Sequence, residues 1–240
     1  MRFLYSRYMQ QTFPGRKTGI LELDGIRPDA DVAATAAALT GRAVQRFAAD
    51  TEGTFPEIQA WRRAYSTMGL KPTQYRCASE ALLRRLRKDG SLPKLHPLID
   101  LCNAASVAYA IPVAVFDRDH VAGDLSVNQA KGDERYLAFS GETETPDPDE
   151  IIFADENGNA HARRWANRQS AKSAVSAGTT RALIVTEALH EIGAEDIRKL
   201  TEELAKVIAK EFGVDPKTDL LLSPDAVYQS ANGKGGDHVG

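Results

Sequence analysis

Cysteine is scarce in this 240-residue chain, and long apolar runs are missing. Cys77 and Cys102 are the only two cysteines, without Cys-x-x-Cys spacing, which excludes a disulfide scaffold and argues against structural zinc. No apolar run is long enough to cross a bilayer, and the segment 1–5 lacks the apolar core of a secretion signal. The sequence therefore predicts a protein of the reducing cytoplasm with no membrane contact.

Common signatures of catalysis are also absent. The chain has no Gly-x-Ser-x-Gly motif and no phosphate-binding glycine loop. Its histidines lack the spacing of metal ligands, and the two cysteines lie in apolar helical contexts typical of core thiols. We predict no metal and no cofactor.

The charge is close to balanced overall but uneven along the chain. With 30 basic and 33 acidic residues, the formal net charge is −3, which argues mildly against a nucleic-acid partner. The segments 62–88 and 157–185 are nonetheless rich in arginine and lysine, and Glu80 is the one acid in either. This distribution fits a local site for a polyanion such as RNA. Solvated arginine-rich faces explain it equally well.

The hydrophobic pattern changes period partway along the chain. Helical spacing covers 31–49, 56–68, 80–88, a stretch from Pro97, and 196–212, whereas short strand-like segments recur at intervals through 113–186. Helices, then mostly antiparallel strands, then a packing helix predict an α+β fold, a mostly antiparallel sheet with flanking helices. We expect an N-terminal extension over 1–55, a main domain over 56–228 and a disordered tail over 229–240.

A few polar side chains stand out against this pattern. Asp100 and Asn103 interrupt an apolar helix, where they either tie the helix to loop backbone or shape a pocket. Trp165 lies among arginines, which is typical of a nucleotide-binding groove or of a core tryptophan beside solvated charges. Glu187 ends a predicted strand. A carboxylate in such a place can orient a hydrolytic water if a pocket lies beside it, but most glutamates at strand ends lie on the surface.

Two segments of the chain resemble motifs of a known family. Ile99-Asp100-Leu101-Cys102-Asn103 resembles the motif Val-Asp-Val-Thr-Asn, and Ile111-Pro112-Val113-Ala114-Val115-Phe116-Asp117 resembles Gln-Pro-Leu-His-Ala-Phe-Asp, both of the B3/B4 tRNA-editing domain in the beta chain of bacterial phenylalanyl-tRNA synthetase. The resemblance covers roughly 61–212 and includes a segment, 182–187, similar to the one that ends in the family's editing glutamate. It implies a B3/B4-like fold without the rest of a synthetase.

The resemblance implies an enzyme of translation fidelity: a free-standing, trans-editing aminoacyl-tRNA deacylase, a hydrolase that cleaves the ester of a mischarged tRNA without a metal. Ala114 occupies the position of a family histidine, which puts recognition of tyrosine in doubt. The implied roles are distributed as follows: Glu187 is catalytic; Asp100, Asn103, Ala114 and Phe116 shape the substrate pocket; Arg84, Arg85, Arg164, Trp165, Arg168 and Gln169 bind tRNA. Two alternatives stay open, a non-catalytic tRNA- or RNA-binding module and a protein that binds a small ligand such as an amino acid.

Overall fold

A computed structural model describes residues 1–230 of the chain. Proline and glycine mark several helix ends, as the sequence predicts: Pro56 and Pro97 occupy first turns, and Gly90 and Gly213 end helices with left-handed φ angles of 72° and 67°. The α-helices of the described chain are α1 (Arg7–Thr12), α2 (Ala33–Phe47), α3 (Pro56–Thr67), α4 (Ala78–Asp89), α5 (Pro97–Tyr109) and α6 (Gly193–Phe212).

The strands form two sheets. Sheet A has the order β12-β1-β4-β7-β8-β5-β6, with β9 beside β8, and sheet B has the order β11-β2-β10-β3. The strands are β1 (Arg2–Tyr5), β2 (Lys17–Asp24), β3 (Val113–Asp117), β4 (Leu125–Gln129), β5 (Arg135–Leu137), β6 (Thr143–Glu144), β7 (Ile151–Asp155), β8 (Asn159–Arg163), β9 (Arg168–Gln169), β10 (Arg181–Ala188), β11 (Lys217–Leu221) and β12 (Tyr228–Gln229).

Most strand pairs are antiparallel. Sheet B is antiparallel throughout, and sheet A contains two parallel pairs, β1 with β4 and β5 with β8. The Asn157-Gly158 turn, a sequence typical of tight hairpins, joins β7 to β8 as an antiparallel pair. The α+β class and the mostly antiparallel pairing are therefore confirmed.

Sheet B lies between two hydrophobic cores, which explains the nearly unbroken apolar run of β10. Successive side chains of a strand point to opposite faces. Ala182 and Ile184 pack with α5 and α6 in one core, whereas Leu183 and Val185 join strands of sheet A and helix α3 in the other. A strand covered on both faces loses the alternation that a half-exposed strand shows.

The first 24 residues belong to both sheets. Strand β1 lies between β4 and β12, and β2 lies between β10 and β11. The expected domain boundary at residue 55 stays a prediction, but the segment before it supplies internal strands rather than a layer packed outside. Of the predicted disordered tail, Gln229 pairs with Arg2, and residues 231–240 lie outside the described part.

Within residues 1–230, no helix is both long and apolar enough to cross a membrane.

Candidate functional site

Glu187 is a buried carboxylate near the end of strand β10. Because alternate residues share a face, Glu187 points to the same side as Leu183 and Val185, toward sheet A. Only 2% of its surface is exposed. The common case of a surface glutamate at a strand end therefore does not apply here.

Two donors hold one oxygen of this carboxylate. Tyr5 Oη donates to Glu187 Oε1 at 2.7 Å, and Trp165 Nε1 donates to the same oxygen at 2.9 Å. Within the described residues, no donor reaches Oε2. Burial raises the pKa of Glu187, and the two hydrogen bonds and the positive charge of Arg16 oppose that rise. A carboxylate whose conjugate acid has a raised pKa is a stronger base, which suits it to accepting a proton during catalysis.

An apolar cavity of about 60 Å³ adjoins Glu187. Strands β3 and β10 are paired so that Ala114 lies opposite Val185 and Phe116 opposite Leu183, which places Ala114, Phe116 and Glu187 on one face. The cavity is lined by Ala78, Pro112, Val113, Ala114, Phe116, Phe153, Ala162, Trp165, Ala166, Asn167, Arg168, Gln169, Val185 and Glu187.

A tight turn after β8 places Trp165 over this cavity. Arg164 and Trp165 both have left-handed backbone conformations, with φ angles of 47° and 57°, which are strained for non-glycine residues. Tertiary hydrogen bonds hold the turn: Trp165 N donates to Ile151 O at 2.7 Å, and Tyr65 Oη donates to Arg164 O at 3.1 Å. Strain of this kind persists where the surrounding structure overdetermines the backbone, which is common at functional sites.

The side chain of Trp165 is a core residue. It is fully buried and packs against Phe13 and Trp61, with ring centroids 4.8 and 4.7 Å away. The prediction that this ring stacks on a nucleotide does not fit such burial, and the alternative of a core tryptophan is the one observed. Its indole N–H instead orients Glu187.

Several of the predicted site residues come together in the cavity lining. Ala114, Phe116, Trp165, Arg168, Gln169 and Glu187 all contribute to it. Two of the polar side chains are already engaged, since Gln169 Nε2 donates to Val115 O and Arg168 pairs with Glu144 at 2.9 Å. The lining therefore offers a ligand mostly apolar contacts.

Asp100 and Asn103 do not line this cavity. Asp100 Oδ1 accepts a hydrogen bond from Leu95 N at 2.8 Å, so it ties helix α5 to the preceding loop, which is the simpler of the two predicted roles. Asn103 is half-buried on the same helix. Their pocket role stays a prediction; Asp100 borders a separate cavity between helices α2 and α5, not the one beside Glu187.

The basic segments carry less free charge than the sequence indicates. Arg84 and Arg85 lie on helix α4, about 9–10 Å along the helix axis from Ala78, which lines the cavity. Arg84 pairs with Glu52 at 3.5 Å, and Arg85 pairs with Asp89 at 3.7 Å. Arg164 lies over the ring of Tyr75 instead, 4.8 Å from its centroid. Carboxylates within 4 Å also neutralise Arg62, Arg76, Arg87, Arg163, Arg168 and Arg181.

Two residues beside Glu187 were not predicted from the sequence. Tyr5 lies in β1 and Arg16 directly before β2, so each is about 170 to 180 positions from Glu187. No local motif links them to it. The alternation in β1, where Phe3 and Tyr5 are both buried, indicates only that Tyr5 faces a core.

A second cluster has the composition of a hydrolase triad, but it is enclosed in the core. His161 contacts Ser173 Oγ at 2.8 Å and Asp155 Oδ2 at 3.1 Å. Ser173 and His161 are fully buried, and Asp155 also accepts hydrogen bonds from Asn159 and from backbone N–H groups. Burial lowers the pKa of His161. This network stabilises the β7–β8 hairpin, and no substrate reaches its serine.

Within residues 1–230, no three His, Cys, Asp or Glu side chains are grouped so that they could hold a metal ion.

Fold and site together define an α+β domain with a carboxylate enclosed beside an apolar cavity. Residues 60–216 match the B3/4 domain family, so the chain belongs to that family. It is 33% identical over 164 residues to a phenylalanine–tRNA ligase beta subunit of Bradyrhizobium diazoefficiens, covering 67% of this chain and 20% of that protein. It is 34% identical over 138 residues to the same subunit of Rhodopseudomonas palustris, covering 57% of this chain and 17% of that protein.

The chain thus spans about a fifth of the length of these curated relatives. A solved structure, an N-terminal fragment of the phenylalanyl-tRNA synthetase beta subunit from Pyrococcus horikoshii, is similar with a TM-score of 0.49 and 10% sequence identity. That superposition covers 89% of this chain and 49% of the fragment.

Proposed function

We propose that this protein is a cytoplasmic aminoacyl-tRNA deacylase that hydrolyses the ester of a mischarged tRNA supplied in trans. The observation that carries the proposal is Glu187, a buried carboxylate beside an apolar cavity in a B3/4 domain. Family membership supports a tRNA-related role, because the relatives are tRNA ligase subunits.

Glu187 orients the attacking water in this proposal. Its Oε1 is held by Tyr5 and Trp165, so the carboxylate is fixed in direction before substrate binds. Oε2 accepts the water proton as the water attacks the ester carbonyl, and the tRNA 3′-terminal hydroxyl leaves with a proton from solvent. General base catalysis of this kind contributes about 10²- to 10⁴-fold, and holding water and ester together contributes further.

The cavity favours a small apolar amino acid over tyrosine. Ala114, Phe116, Val185 and their apolar neighbours line a volume of about 60 Å³, which admits a few waters or a small aliphatic group. The amide N–H groups of Gln169 and Asn167 are engaged with backbone carbonyls of Val115 and Arg76. The preference for a small side chain rests on the small volume and the mostly apolar lining.

The test is a deacylation assay on a panel of tRNAs charged with correct and incorrect amino acids. We expect release of a small apolar amino acid from a non-cognate tRNA. Glu187→Gln should lower the turnover rate by about 10²- to 10⁴-fold with little change in tRNA affinity. Glu191→Gln is the matched control, because Glu191 follows the same strand and is exposed.

Equal turnover in Glu187→Gln and the control would remove Glu187 from the mechanism. No release across the panel by the unmodified protein would refute the deacylase proposal.

One observation favours a second function, a module that binds RNA without chemistry. Within the described residues, Arg63, Lys71, Lys88, Arg164 and Lys172 have no carboxylate within 4 Å, in contrast to their ion-paired neighbours. These cations are available to phosphates. Retention of tRNA that weakens steeply with salt, without any ester loss, would support this function.

A further inference from the structure

We propose that the N-terminal segment completes the site, with Tyr5 and Arg16 acting as positioning residues for Glu187. Both precede the part of the chain that matches the B3/4 domain, residues 60–216. This inference rests on the proposed deacylase function for its kinetic readout, and it also has a readout that is independent of activity.

Tyr5 holds Glu187 through a short relay. Its hydroxyl lies 2.7 Å from Glu187 Oε1 and 2.8 Å from Thr18 Oγ1. Thr18 lies opposite Glu187 in the pairing of β2 with β10. Since Tyr5 donates to the carboxylate, it accepts from the threonine hydroxyl, and both partners fix the direction of its O–H bond.

Arg16 is a buried cation without a carboxylate partner. Its guanidinium lies over the ring of Tyr5, 3.3 Å from the centroid, and it is fully buried. Only Nη2 has a hydrogen bond, to Pro224 O at 3.2 Å, whereas Nε and Nη1 have none within residues 1–230. The Tyr5 ring thus bridges the cation and the carboxylate.

Packing alone does not explain these two residues. A phenylalanine at position 5 and a methionine at position 16 would fill similar space without placing a phenol and a guanidinium in the core. Replacing buried charged groups by apolar residues of similar volume is often neutral or stabilising. The polar pair is therefore best explained by what it does to Glu187.

Four other titratable groups surround Glu187. Tyr5 comes from β1, Arg16 from the loop before β2, Tyr65 from α3 and Arg168 from β9 across the cavity. Burial raises the pKa of Glu187, while the Tyr5 hydrogen bond and the charge of Arg16 oppose that rise. Removing either Tyr5 or Arg16 favours the protonated form of Glu187. Its carboxylate then takes up a proton at a higher pH than in the unmodified protein.

The experiment compares Tyr5→Phe and Arg16→Met in the full chain with Tyr8→Phe as the matched control. Tyr8 is half-buried in the same segment, and its hydroxyl has no partner within residues 1–230. Two quantities are measured for each: the acidic limb of the deacylation pH profile, and the titration of Glu187 by NMR of carboxyl-labelled glutamate, assigned with Glu187→Gln. Near-ultraviolet circular dichroism confirms folding.

We expect both the acidic limb and the Glu187 titration to move to higher pH in Tyr5→Phe and Arg16→Met, and not in Tyr8→Phe. Tyr5→Phe should also lower the plateau rate about ten- to a hundredfold, because the carboxylate loses its fixed direction. Arg16→Lys keeps the positive charge, so its acidic limb should shift less than that of Arg16→Met and lie closer to that of the unmodified protein.

An unchanged Glu187 titration in both folded variants would overturn this inference, whatever the enzyme does. If no protein releases any amino acid while the titration still shifts upward, the deacylase proposal fails and the role of the N-terminal segment stands. The two failures are therefore distinguishable.

Discussion

Replacing the buried Arg16 by methionine should make the protein more stable. Arg16 Nε and Nη1 are buried donors without partners within the described residues, and each such atom destabilises the fold by about 1–3 kcal/mol. The variant loses the contact with the Tyr5 ring, about 2 kcal/mol when desolvated, and one hydrogen bond to Pro224 O, about 1 kcal/mol. The net change is a gain in unfolding free energy of about 1 kcal/mol.

The assay is urea unfolding of the full chain, followed by circular dichroism at pH 7.5, with Arg16→Met and its reference both carrying Glu187→Gln so that the attraction between Arg16 and Glu187 does not contribute. A gain of about 1 kcal/mol corresponds to a rise in Tm of about 2–4 °C for a domain of this size. Arg27→Met is the control: its side chain is 57% exposed, so the free energy should change by less than about 0.5 kcal/mol. A loss of 2 kcal/mol or more in Arg16→Met would refute the reasoning, because it would mean that the guanidinium is paired in solution.

Three further outcomes are expected. Gly19→Ala should lower the unfolding free energy, measured in urea, by about 1–3 kcal/mol. A Cβ at this position would overlap the hydroxyl of Thr201 in α6 and lie 2.6 Å from the hydroxyl of Thr186 in β10. A loss below about 0.5 kcal/mol would contradict this close approach. The unfolding free energy should fall as pH drops below about 6.5, because burial lowers the pKa of His161 and the unfolded chain then binds the proton more readily. The measurement is made in Glu187→Gln, since a glutamate with a raised pKa makes the unfolding free energy change with pH in the opposite direction. An unfolding free energy that does not change with pH in this range would count against the prediction. Cys77 and Cys102 should resist a thiol reagent until denaturant is added, because both are buried and burial raises the pKa of Cys77 to about 11; rapid reaction of either in the native protein would contradict this burial.

Local patterns predicted most of the elements because their causes are local. Proline at a first turn and glycine in a left-handed conformation delimit α3 and α4, and the Asn-Gly turn marks the β7–β8 hairpin. The face that carries Ala114, Phe116 and Glu187 also follows from alternation along two strands. That these two strands are neighbours is known only from the structure.

The contacts that the sequence could not predict are those between distant segments. Nothing near Glu187 indicates a tyrosine from β1, and nothing near Arg84 indicates Glu52, which is remote in sequence and neutralises much of that basic face. Charge counted along a chain ignores such pairing, so it overstated the free positive surface. The burial of Trp165, which gives its predicted stacking role no support, was missed for a similar reason, since it depends on Phe13 and Trp61.

The placement of β1 has a consequence for the order in which the protein can be built. Strand β1 pairs with β12 through Arg2 and Gln229, and Tyr5 meets a carboxylate 182 positions later. During synthesis the first strand can pair with β4 once that strand is made, but its other edge has no partner until β12 follows. Contacts this distant in sequence slow folding. A chain without its first strand would hold Glu187 without its tyrosine, so the site needs both ends of this long sequence separation.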